Sequence, residues 1–316
     1  MPLIPKIITV TLNPSLDKNS GVDHVVSDWK LRCDEPFYDA GGGGLNVSKA
    51  LKRLGVKSEA LFVAGGPPGQ MLQHFIRKDK LQSHLIPIRG WTRENFSVIE
   101  KQTGQQFRFN MPGPDLEKAE WTSCLNKLKE LAAEADYIIA SGSLPPGIPV
   151  DFYSRLARQS KKNNTKIILD ISGAALEKAV GKGAFMLKMN LRELCGLVGR
   201  ELRNEVDYKR AAKELMHKRA ADLLIISLGH AGAIMASPKV FRHFQAPFVP
   251  VKSCVGAGDS MVAGFVLGLI RHDCIERASL MAVAAGSAAV MTPNTELCRK
   301  RDVERLYRQL WSKYSR

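Results

Sequence analysis

The sequence of 316 residues predicts an α/β fold in which a largely parallel sheet is covered by helices on both faces. The main observation is a set of short, almost wholly apolar segments separated by helical patterns, at residues 137–140, 166–170, 185–188 and 223–227. Strands that are apolar on both faces are typical of parallel sheets buried between helices. The second observation is that polar residues follow these segments, at the sheet edge where ligands of open α/β sheets bind.

The other elements are predicted in chain order from periodicity and turn residues. Strands are expected at 6–12, 58–64, 83–88, 96–99, 105–109, 233–236 and 248–251, with a mixed, strand-like stretch at 22–39. Helices are expected at 46–54, 71–79, 116–134, 261–270, 280–291 and 301–314. The short strands near 96–109 are distinct in pattern from the main sheet.

Composition limits the possible functions. The hydrophobic content of 45% and charged content of 24% are ordinary for a soluble globular protein. The net charge of +15 attracts polyanions, either nucleic acid or phosphorylated small molecules. The basic residues are spread along the chain without interleaved aromatic residues, so a solvated basic surface is favoured and no nucleic-acid partner is expected.

The location of the protein is predicted from what its sequence lacks. No apolar stretch is long enough to span a membrane, and no secretory signal precedes Ile7, so no membrane partner is expected. The six cysteines form no CxxC pair, which gives no support for a zinc or redox motif. We therefore expect a protein of the reducing cytoplasm.

The strongest candidate for chemistry is the segment from Gly256 through Ala257 and Gly258 to Asp259, just before an apolar helix. The glycines bring backbone amides close to a ligand, and the start of the helix favours an anion. Asp259 could accept a proton from a hydroxyl while the amides stabilise the adjacent negative charge. Phosphoryl transfer to an alcohol needs this combination. The alternative is a helix-capping aspartate.

Four consecutive glycines at 41–44 open directly onto a helix that contains Asn46. Their bare amides could bind a ligand with many hydroxyl groups. The alternative is a flexible loop, which we consider less compatible with so regular a helix. Asp17, just beyond the first strand, is a candidate ligand-binding carboxylate or a turn residue.

Two arginines fall among the short strands. Arg93 and Arg108 could clamp a phosphate with bidentate hydrogen bonds, or they could be ordinary surface residues. Asn190 and Glu193 lie three residues apart, so on one helical face they could hold a hydrated Mg²⁺ near phosphate oxygens. Each of these two could instead be a helix-start residue. The turn from Gly229 to Gly232 could pass beneath a purine or its phosphates.

Several motifs together resemble the ribokinase-like sugar kinase superfamily over essentially the whole chain. They are the glycine run with Asn46, the stretch Ser141-Gly142-Ser143-Leu144-Pro145-Pro146-Gly147, the pair Asn190 and Glu193, the turn from Ser227 to Gly232, and the segment around Asp259. The stretch from Thr11 to Asp17 is similar to the phosphofructokinase branch. The unbroken glycine run, residues 30–33, 91–93 and 107–109 are most like the minor bacterial 6-phosphofructokinases.

This resemblance implies a Rossmann-like three-layer α/β/α sandwich with a small β-sheet lid. The main domain would comprise residues 1–13, 42–87 and 113–316, and the lid residues 14–41 and 88–112. The lid would cover the sugar and pair with the lid of a second subunit, giving a homodimer.

The resemblance also implies roles for individual residues. Asp259 would be the catalytic base and the amides of Gly256, Ala257 and Gly258 the anion hole. The implied phosphosugar contacts are Asp17, Lys30, Gly42, Asn46, Arg93, Arg108 and Ser143. The implied ATP contacts are Lys188, Asn190, Ser227, Gly229 and Gly232. The implied metal sites are Glu193 for Mg²⁺, through water, and carbonyls around Ser253, Val255 and Ala289 for K⁺. One departure is Met189, which stands where the family usually has proline between Lys188 and Asn190.

The activity that follows is ATP-dependent phosphorylation of fructose 6-phosphate at O1, a step of glycolysis. The same chemistry on tagatose 6-phosphate or fructose 1-phosphate is the nearest alternative. A basic nucleic-acid-binding protein built on an α/β scaffold is the alternative from another class, although no Walker or RNA-binding motif is present.

Overall fold

The computed structural model describes residues 5–293 and 295–315, and a nine-stranded sheet forms its centre. Across the sheet the strands follow the order β13 (Phe241–Phe244), β12 (Ala233–Ala236), β11 (Leu223–Ser227), β10 (Met186–Asn190), β9 (Lys166–Asp170), β8 (Tyr137–Ser141), β1 (Ile7–Thr11), β4 (Glu59–Ala64) and β5 (Gln82–Pro87). From β11 to β5 every neighbouring pair is parallel, whereas β12 and β13 are antiparallel additions at one edge. The parallel sheet predicted from the sequence is therefore present.

Helices cover both faces of this sheet. One face carries α1 (Gly43–Leu54), α8 (Ala257–His272), α9 (Ile275–Val290) and α10 (Lys300–Tyr314). The opposite face carries α3 (Lys118–Ala132), α4 (Phe152–Lys162), α5 (Gly173–Ala179), α6 (Leu191–Val198) and α7 (Glu205–His217). Helix α2 (Gly66–Lys78) packs over the β4 side of the molecule.

The strand residues show why both faces must be covered. Ile7 and Ile139 belong to the core beneath α8 and α9, while their neighbours Ile8 and Ile138 belong to the core beneath α3 and α4. Successive side chains of a strand point to opposite faces, so a continuous apolar run leaves two surfaces to bury. The three-layer arrangement follows from this pattern.

A second, four-stranded sheet lies beside the first. Its strands are β3 (Phe37–Gly41), β2 (Ser15–Val22), β6 (Arg93–Glu100) and β7 (Gln106–Phe109), in that order. In the register, Ser15 faces Arg93, Asp17 faces Asn95 and Asp39, and Ser97 faces Arg108. Residues that face each other, or are two apart on a strand, share one side of a sheet. One side of the small sheet is therefore polar, and we call it the polar face.

One predicted strand is absent, and a second strand-like stretch is strand only in part. The run at 248–251 is irregular and Phe248 is fully exposed, because Pro247 and Pro250 lack the N–H groups that a sheet ladder requires. The strand-like stretch at 22–39 forms strand only at its two ends, and residues 23–36 are an exposed connection between β2 and β3. Among the helices of the described residues, none is long and apolar enough to cross a bilayer.

Candidate active site

The N-terminus of α8 lies at the edge of the large sheet where the strands end. Gly256 caps this helix in the left-handed region, with φ of 71°, and the first turn carries Asp259. The first amides of a helix have no carbonyl partner within it, so they remain available to an anion. Gly256, Ala257 and Gly258 therefore present donors on the same turn that holds the carboxylate.

Two side chains from distant parts of the chain fix this carboxylate. Asn46 of α1 donates from Nδ2 to Asp259 Oδ2 at 2.9 Å. Ser141, the last residue of β8, donates from Oγ to Asp259 Oδ1 at 3.3 Å. Both oxygens of Asp259 are therefore oriented, and the residue does not act as a simple helix cap, since Gly256 occupies the capping position.

The environment of Asp259 raises the pKa of its carboxyl group. Burial raises its pKa to about 6, and the nearby carboxylate of Asp170 adds to the rise. The hydrogen bonds from Asn46 and Ser141 and the charge of Lys188 act in the opposite direction. A carboxylate with a pKa near the working pH can both accept a proton and release it, which suits a general base.

A buried ion pair stands beside this group. The ammonium of Lys188, on β10, lies 2.9 Å from Asp170 Oδ1 at the end of β9, and Lys188 is 8% exposed. Burial would lower the pKa of Lys188, but the charge of Asp170 and the hydrogen bond to it raise the pKa overall. A Cβ added to Gly258 would lie 2.7 Å from Lys188 Nζ. The cation thus lies directly against the backbone of the anion hole.

The glycine run approaches the same place. Gly42 has φ of 119°, in the region that favours glycine, and precedes the first turn of α1. A Cβ on Gly43 would lie 2.2 Å from Ser141 Oγ, so any side chain there would displace a residue that orients Asp259. The run is therefore part of a closely packed helix start and not a flexible loop.

These elements enclose a cavity of about 210 Å³. Among the residues that line it are Ser143, Glu193 and Asp259, which the sequence predicted, together with Ser141 and Asp170, which it did not assign to the site. We call the group formed by Gly256–Asp259, Asn46, Ser141, Asp170 and Lys188 the catalytic corner. The sequence indicated Ser141 and Asp170 only as polar residues at the ends of adjacent strands, where ligands of α/β sheets bind, and gave neither of them a role.

A second group of polar side chains occupies the polar face of the small sheet. Asp17 Oδ1 accepts hydrogen bonds from Ser15 at 2.6 Å and from Asn95 at 2.9 Å. Burial raises the pKa of Asp17, the two hydrogen bonds lower it, and the carboxylate of Asp39 raises it again. Asp17 is therefore a strand residue with fixed orientation and not the turn residue that the sequence allowed.

Arg93 is held close to Asp17 by the backbone. Its guanidinium donates to the carbonyls of Asn13 at 2.9 Å, Met111 at 3.2 Å and Pro14 at 3.4 Å. Burial lowers its pKa, and the charge of Asp17 counteracts that effect. Arg93 is therefore a positioned, partly buried cation.

Arg108 and Lys30 are less constrained. Arg108 shares the side of the sheet with Arg93 through its pairing with Ser97, but its side chain is exposed. Lys30 lies in the exposed connection at 23–36, and within the described residues neither side chain has a hydrogen bond or an ion pair. The structure places Arg108 on the polar face and does not bring Lys30 to it.

The residues predicted to contact the nucleotide lie at the ends of β10 and β11. Asn190 and Glu193 form a capping box for α6: Glu193 N donates to Asn190 Oδ1 at 2.9 Å, and Asn190 N donates to Glu193 Oε2 at 2.7 Å. Both residues therefore stabilise the start of α6, as the alternative interpretation predicted. Glu193 also lines the cavity, and burial raises the pKa of its carboxyl group. Ser227 donates to the Met189 carbonyl at 3.3 Å and leads into the turn that includes Gly229 and Gly232.

The segments predicted to bind K⁺ meet behind the anion hole. Ser253 N donates to the carbonyl of Val290 at 3.3 Å, which joins the chain before α8 to the end of α9. Ser253 Oγ accepts from Val255 N at 3.2 Å, and the Ala289 carbonyl accepts from Thr292 Oγ1 at 2.6 Å. The two segments are therefore adjacent in the fold.

Two buried polar atoms next to the site have no partner within the described residues. They are Thr11 Oγ1, at the end of β1, and Asn13 Oδ1. The amide nitrogen of Asn13 donates to Ser143 Oγ at 3.0 Å, so its oxygen lies at the border of the cavity residues. Buried polar atoms without partners are rare in proteins and are often satisfied by a ligand or water.

Comparison with known proteins gives close relatives over nearly the whole chain. ATP-dependent 6-phosphofructokinase isozyme 2 from Mycobacterium tuberculosis is 42% identical over 303 residues, which are 96% of this chain and 89% of the relative. The protein of the same name from Escherichia coli is 36% identical over 306 residues, 96% of this chain and 99% of the relative. The 1-phosphofructokinase of Bacillus subtilis is 32% identical over 286 residues, 90% of this chain and 93% of the relative.

Two solved structures of phosphofructokinase-2 from Escherichia coli superimpose closely. The complex with potassium has a TM-score of 0.93 at 35% identity, and the complex with fructose-6-phosphate has a TM-score of 0.89 at 34% identity. Each match covers 97% of this chain and 99% of the solved chain. These matches confirm the predicted α/β fold with a large central sheet and a second small sheet.

The family profile described as pfkB family carbohydrate kinase matches residues 17–301, a span that contains every site residue predicted from the sequence. The match confirms the resemblance and the enzyme interpretation predicted from the motifs. The chain therefore belongs to the pfkB family of carbohydrate kinases, enzymes that transfer a phosphoryl group from ATP to a sugar.

Proposed function

We propose that this kinase phosphorylates fructose 6-phosphate at O1, with ATP as the phosphoryl donor, to give fructose 1,6-bisphosphate. The support is twofold. The relatives named 6-phosphofructokinase share more residues with the chain than the one named 1-phosphofructokinase. The carrying observation is the catalytic corner, where an oriented carboxylate and free helix amides adjoin one small cavity.

In the proposed mechanism Asp259 accepts the proton of the sugar O1 hydroxyl as the oxygen attacks the γ-phosphorus. The proton moves to Oδ1 or Oδ2, both of which are oriented by hydrogen bonds from Asn46 and Ser141. The amides of Gly256, Ala257 and Gly258, with Lys188 against them, stabilise the charge on the transferred phosphoryl group. The phosphorus–oxygen bond to ADP breaks as the new bond to O1 forms.

The cavity residues fit a divalent cation. Asp170 and Glu193 both line the cavity, and carboxylate oxygens are the ligands that Mg²⁺ prefers. We propose that Glu193 holds Mg²⁺ through water, with Asp170 as a further acceptor. When bound, the ion would neutralise phosphate oxygens. Asn190, Ser227, Gly229 and Gly232 would contact ATP from the ends of β10 and β11, and carbonyls around Ser253, Val255 and Ala289 would hold K⁺.

The phosphosugar would lie between the cavity and the polar face. Asp17 would accept hydrogen bonds from the sugar hydroxyls, and Asn46 would donate to them or accept from them. Gly42 and Ser143 would lie next to the sugar. Arg93, Arg108 and Lys30 would bind its phosphate, with Arg93 fixed in advance and the other two recruited when the sugar binds. The small sheet would then act as a lid, formed by residues 14–41 and 88–112, that excludes water before transfer.

The substrate is tested by steady-state ADP release with fructose 6-phosphate, tagatose 6-phosphate and fructose 1-phosphate in one preparation. We expect kcat/KM to be highest for fructose 6-phosphate. A higher kcat/KM for either other sugar would move the assignment to tagatose-6-phosphate kinase or 1-phosphofructokinase. Parallel assays with Asp259→Asn establish that the measured activity belongs to this protein.

We further propose that two copies associate through their lids to form a homodimer. The small sheet and its connections expose large apolar side chains, namely Trp29, Phe37, Trp91, Phe109 and Met111, with exposures between 48% and 78%. On the side of the sheet away from the polar face, Phe109 stacks on Phe96 with ring centroids 6.3 Å apart, and grouped apolar side chains at a surface are typical of association sites. Light scattering should give the mass of a dimer for the wild type and of a monomer for Phe109→Asp. Val206→Asp changes an apolar residue on α7 that is more exposed than Phe109, at 67% against 48%, and should leave the dimer intact.

A further inference from the structure

A buried ion pair outside the catalytic corner adjoins the small sheet. Lys49 of α1 is 8% exposed, and its ammonium lies 2.5 Å from Asp39 Oδ1 on β3. The same ammonium donates to the carbonyl of Ala40 at 2.6 Å and lies 3.6 Å from the carboxylate of Asp79. The pair therefore joins the end of β3 to the helix that follows the glycine run.

Both carboxylate oxygens of Asp39 are engaged. The backbone N–H of Ala40 donates to Oδ1 at 2.8 Å, and Thr295 donates from Oγ1 to Oδ2 at 3.2 Å. Every one of these partners, including Lys49, donates a hydrogen bond or carries a positive charge. These contacts fix the orientation of the Asp39 carboxylate beside the Lys49 ammonium.

The position of Asp39 matters because Asp17 faces it across β2 and β3. Two carboxylates at directly facing positions repel each other. The remaining groups around Asp17 are Ser15 and Asn95, which donate to it, and Arg93, whose guanidinium is shared with three backbone carbonyls.

We propose that Lys49 is a positioning residue for phosphosugar binding: its ammonium neutralises Asp39, so that Asp17 remains an ionised hydrogen-bond acceptor for the sugar. This inference rests on the proposed assignment of Asp17 to the sugar site. Lys49 acts through Asp39. Its ammonium is occupied by Asp39, Ala40 and Asp79, so it does not itself contact the sugar.

The main test removes the positive charge while keeping an unbranched chain of similar length. In Lys49→Met we expect the KM for the phosphosugar to rise about tenfold, and the KM for ATP to stay within about twofold. Lys49→Arg retains the charge and should resemble the wild type. Lys57→Met removes an exposed lysine that follows the same helix and should have no effect. Equal changes in both KM values, or failure of arginine to substitute, would overturn the proposal.

A double substitution separates charge from packing. In Lys49→Met with Asp39→Asn the repelling carboxylate is also removed, so the KM for the phosphosugar should return to within about threefold of the wild type. A loss of packing around Lys49 would not be repaired by Asp39→Asn. A double variant as impaired as Lys49→Met alone would therefore contradict the inference.

A spectroscopic measurement makes the result independent of the substrate assignment. The carboxyl ¹³C resonance of Asp17, identified by its loss in Asp17→Asn, is titrated in protein labelled at aspartate. The midpoint should move to higher pH in Lys49→Met and return in the double variant. If Lys49→Met does not fold, Asp39→Asn alone should move the midpoint to lower pH. An unchanged midpoint overturns the proposal, whereas a wild type inactive on all three sugars overturns only the proposed function.

Discussion

The catalytic corner and the polar face of the small sheet differ in how completely their polar side chains are held in place. In the corner, Asp259, Lys188 and Asp170 are largely shielded, and each polar group is held by side chains that come from distant strands and helices. On the polar face, Asp17 and Arg93 are held in a similar way, but Arg108 is exposed and has no partner within the described residues. Lys30, also without a partner there, lies away from this face in the exposed connection at 23–36. One region is already assembled, and the other is assembled in part.

This difference indicates a division of labour. On the proposed function, the preorganised groups of the corner would lower the barrier of the chemical step, because they need no rearrangement when charge develops. The looser groups of the small sheet would contribute to binding and to closure over the sugar. Substitutions in the two regions should therefore separate into effects on kcat and effects on the KM of one substrate.

The largest expected effect is that of Asp259→Asn. An amide cannot accept the hydroxyl proton, so kcat should fall about a thousandfold, while both KM values stay within about threefold. Steady-state ADP release measures both quantities. Asp273→Asn, at the opposite end of the same helix, is the matched control and should retain full activity. An Asp259→Asn enzyme with near-normal kcat would remove the carboxylate from the mechanism.

The next largest effect is expected from substitutions on the polar face, and it should be a rise in the KM for the phosphosugar. Arg93→Ala should raise that KM about a hundredfold, and Arg108→Ala about tenfold, because hydrogen bonds to a phosphate anion are lost. The KM for ATP should change little. Arg89→Ala, a nearby exposed arginine paired with Glu117, serves as the control. A larger effect at Arg108 than at Arg93 would reverse our distinction between a fixed and a recruited group.

A smaller effect concerns the pH dependence of the corner. Because burial raises the pKa of Asp259 to about 6, the base is protonated below that pH, and kcat/KM should fall with decreasing pH through about 6. We expect a slope of one on a logarithmic plot. If kcat/KM instead falls only near pH 4, either the pKa of Asp259 is that of an ordinary aspartate or its protonation does not limit the reaction.

The same shift has a consequence for stability, and it is the smallest effect we predict. The folded protein binds this proton more tightly than the unfolded chain, so the ionised carboxylate destabilises the fold, fully above pH 6 and hardly at all below pH 3.8. Asp259→Asn should therefore raise the free energy of unfolding at pH 8 by about 2 kcal/mol. The corresponding rise in Tm is about 4 °C and should vanish near pH 4. If calorimetry at pH 8 gives Asp259→Asn a lower Tm than the wild type, the predicted stabilisation is contradicted.

The comparison also shows which features could be predicted from the sequence. The parallel strands were predictable because their apolar runs repeat between helices, and the segment around Asp259 because glycines and an aspartate precede a helix. The prediction of a strand at 248–251 was wrong because it gave more weight to the apolar residues there than to Pro247 and Pro250, which lack the N–H groups that a sheet requires. The stretch at 22–39 was misjudged because β-branched and charged residues alternate there without a partner strand.

Other features depend on residues that are remote in sequence. Ser141 belongs to a sequence motif and Asp170 to none, but neither pattern predicts that their strands end beside Asp259 and bring both residues to the cavity. The pairing of Lys49 with Asp39, and of Asp39 with Asp17, depends on the register of β2 and β3. Local patterns do not specify which strands pair, so the register of β2 and β3, which are separated by residues 23–36, could not be derived from them.

The sequence by itself determined the layered architecture and the glycine segments, since these depend on periodicity and on local backbone freedom. It also predicted the groups that would carry phosphoryl transfer. Only the tertiary structure decided the acidity of Asp259, the partners that orient it and the ion pair beside the polar face. Those properties arise from burial and from Coulomb interactions between side chains. Folding alone brings such side chains within a few ångströms of one another.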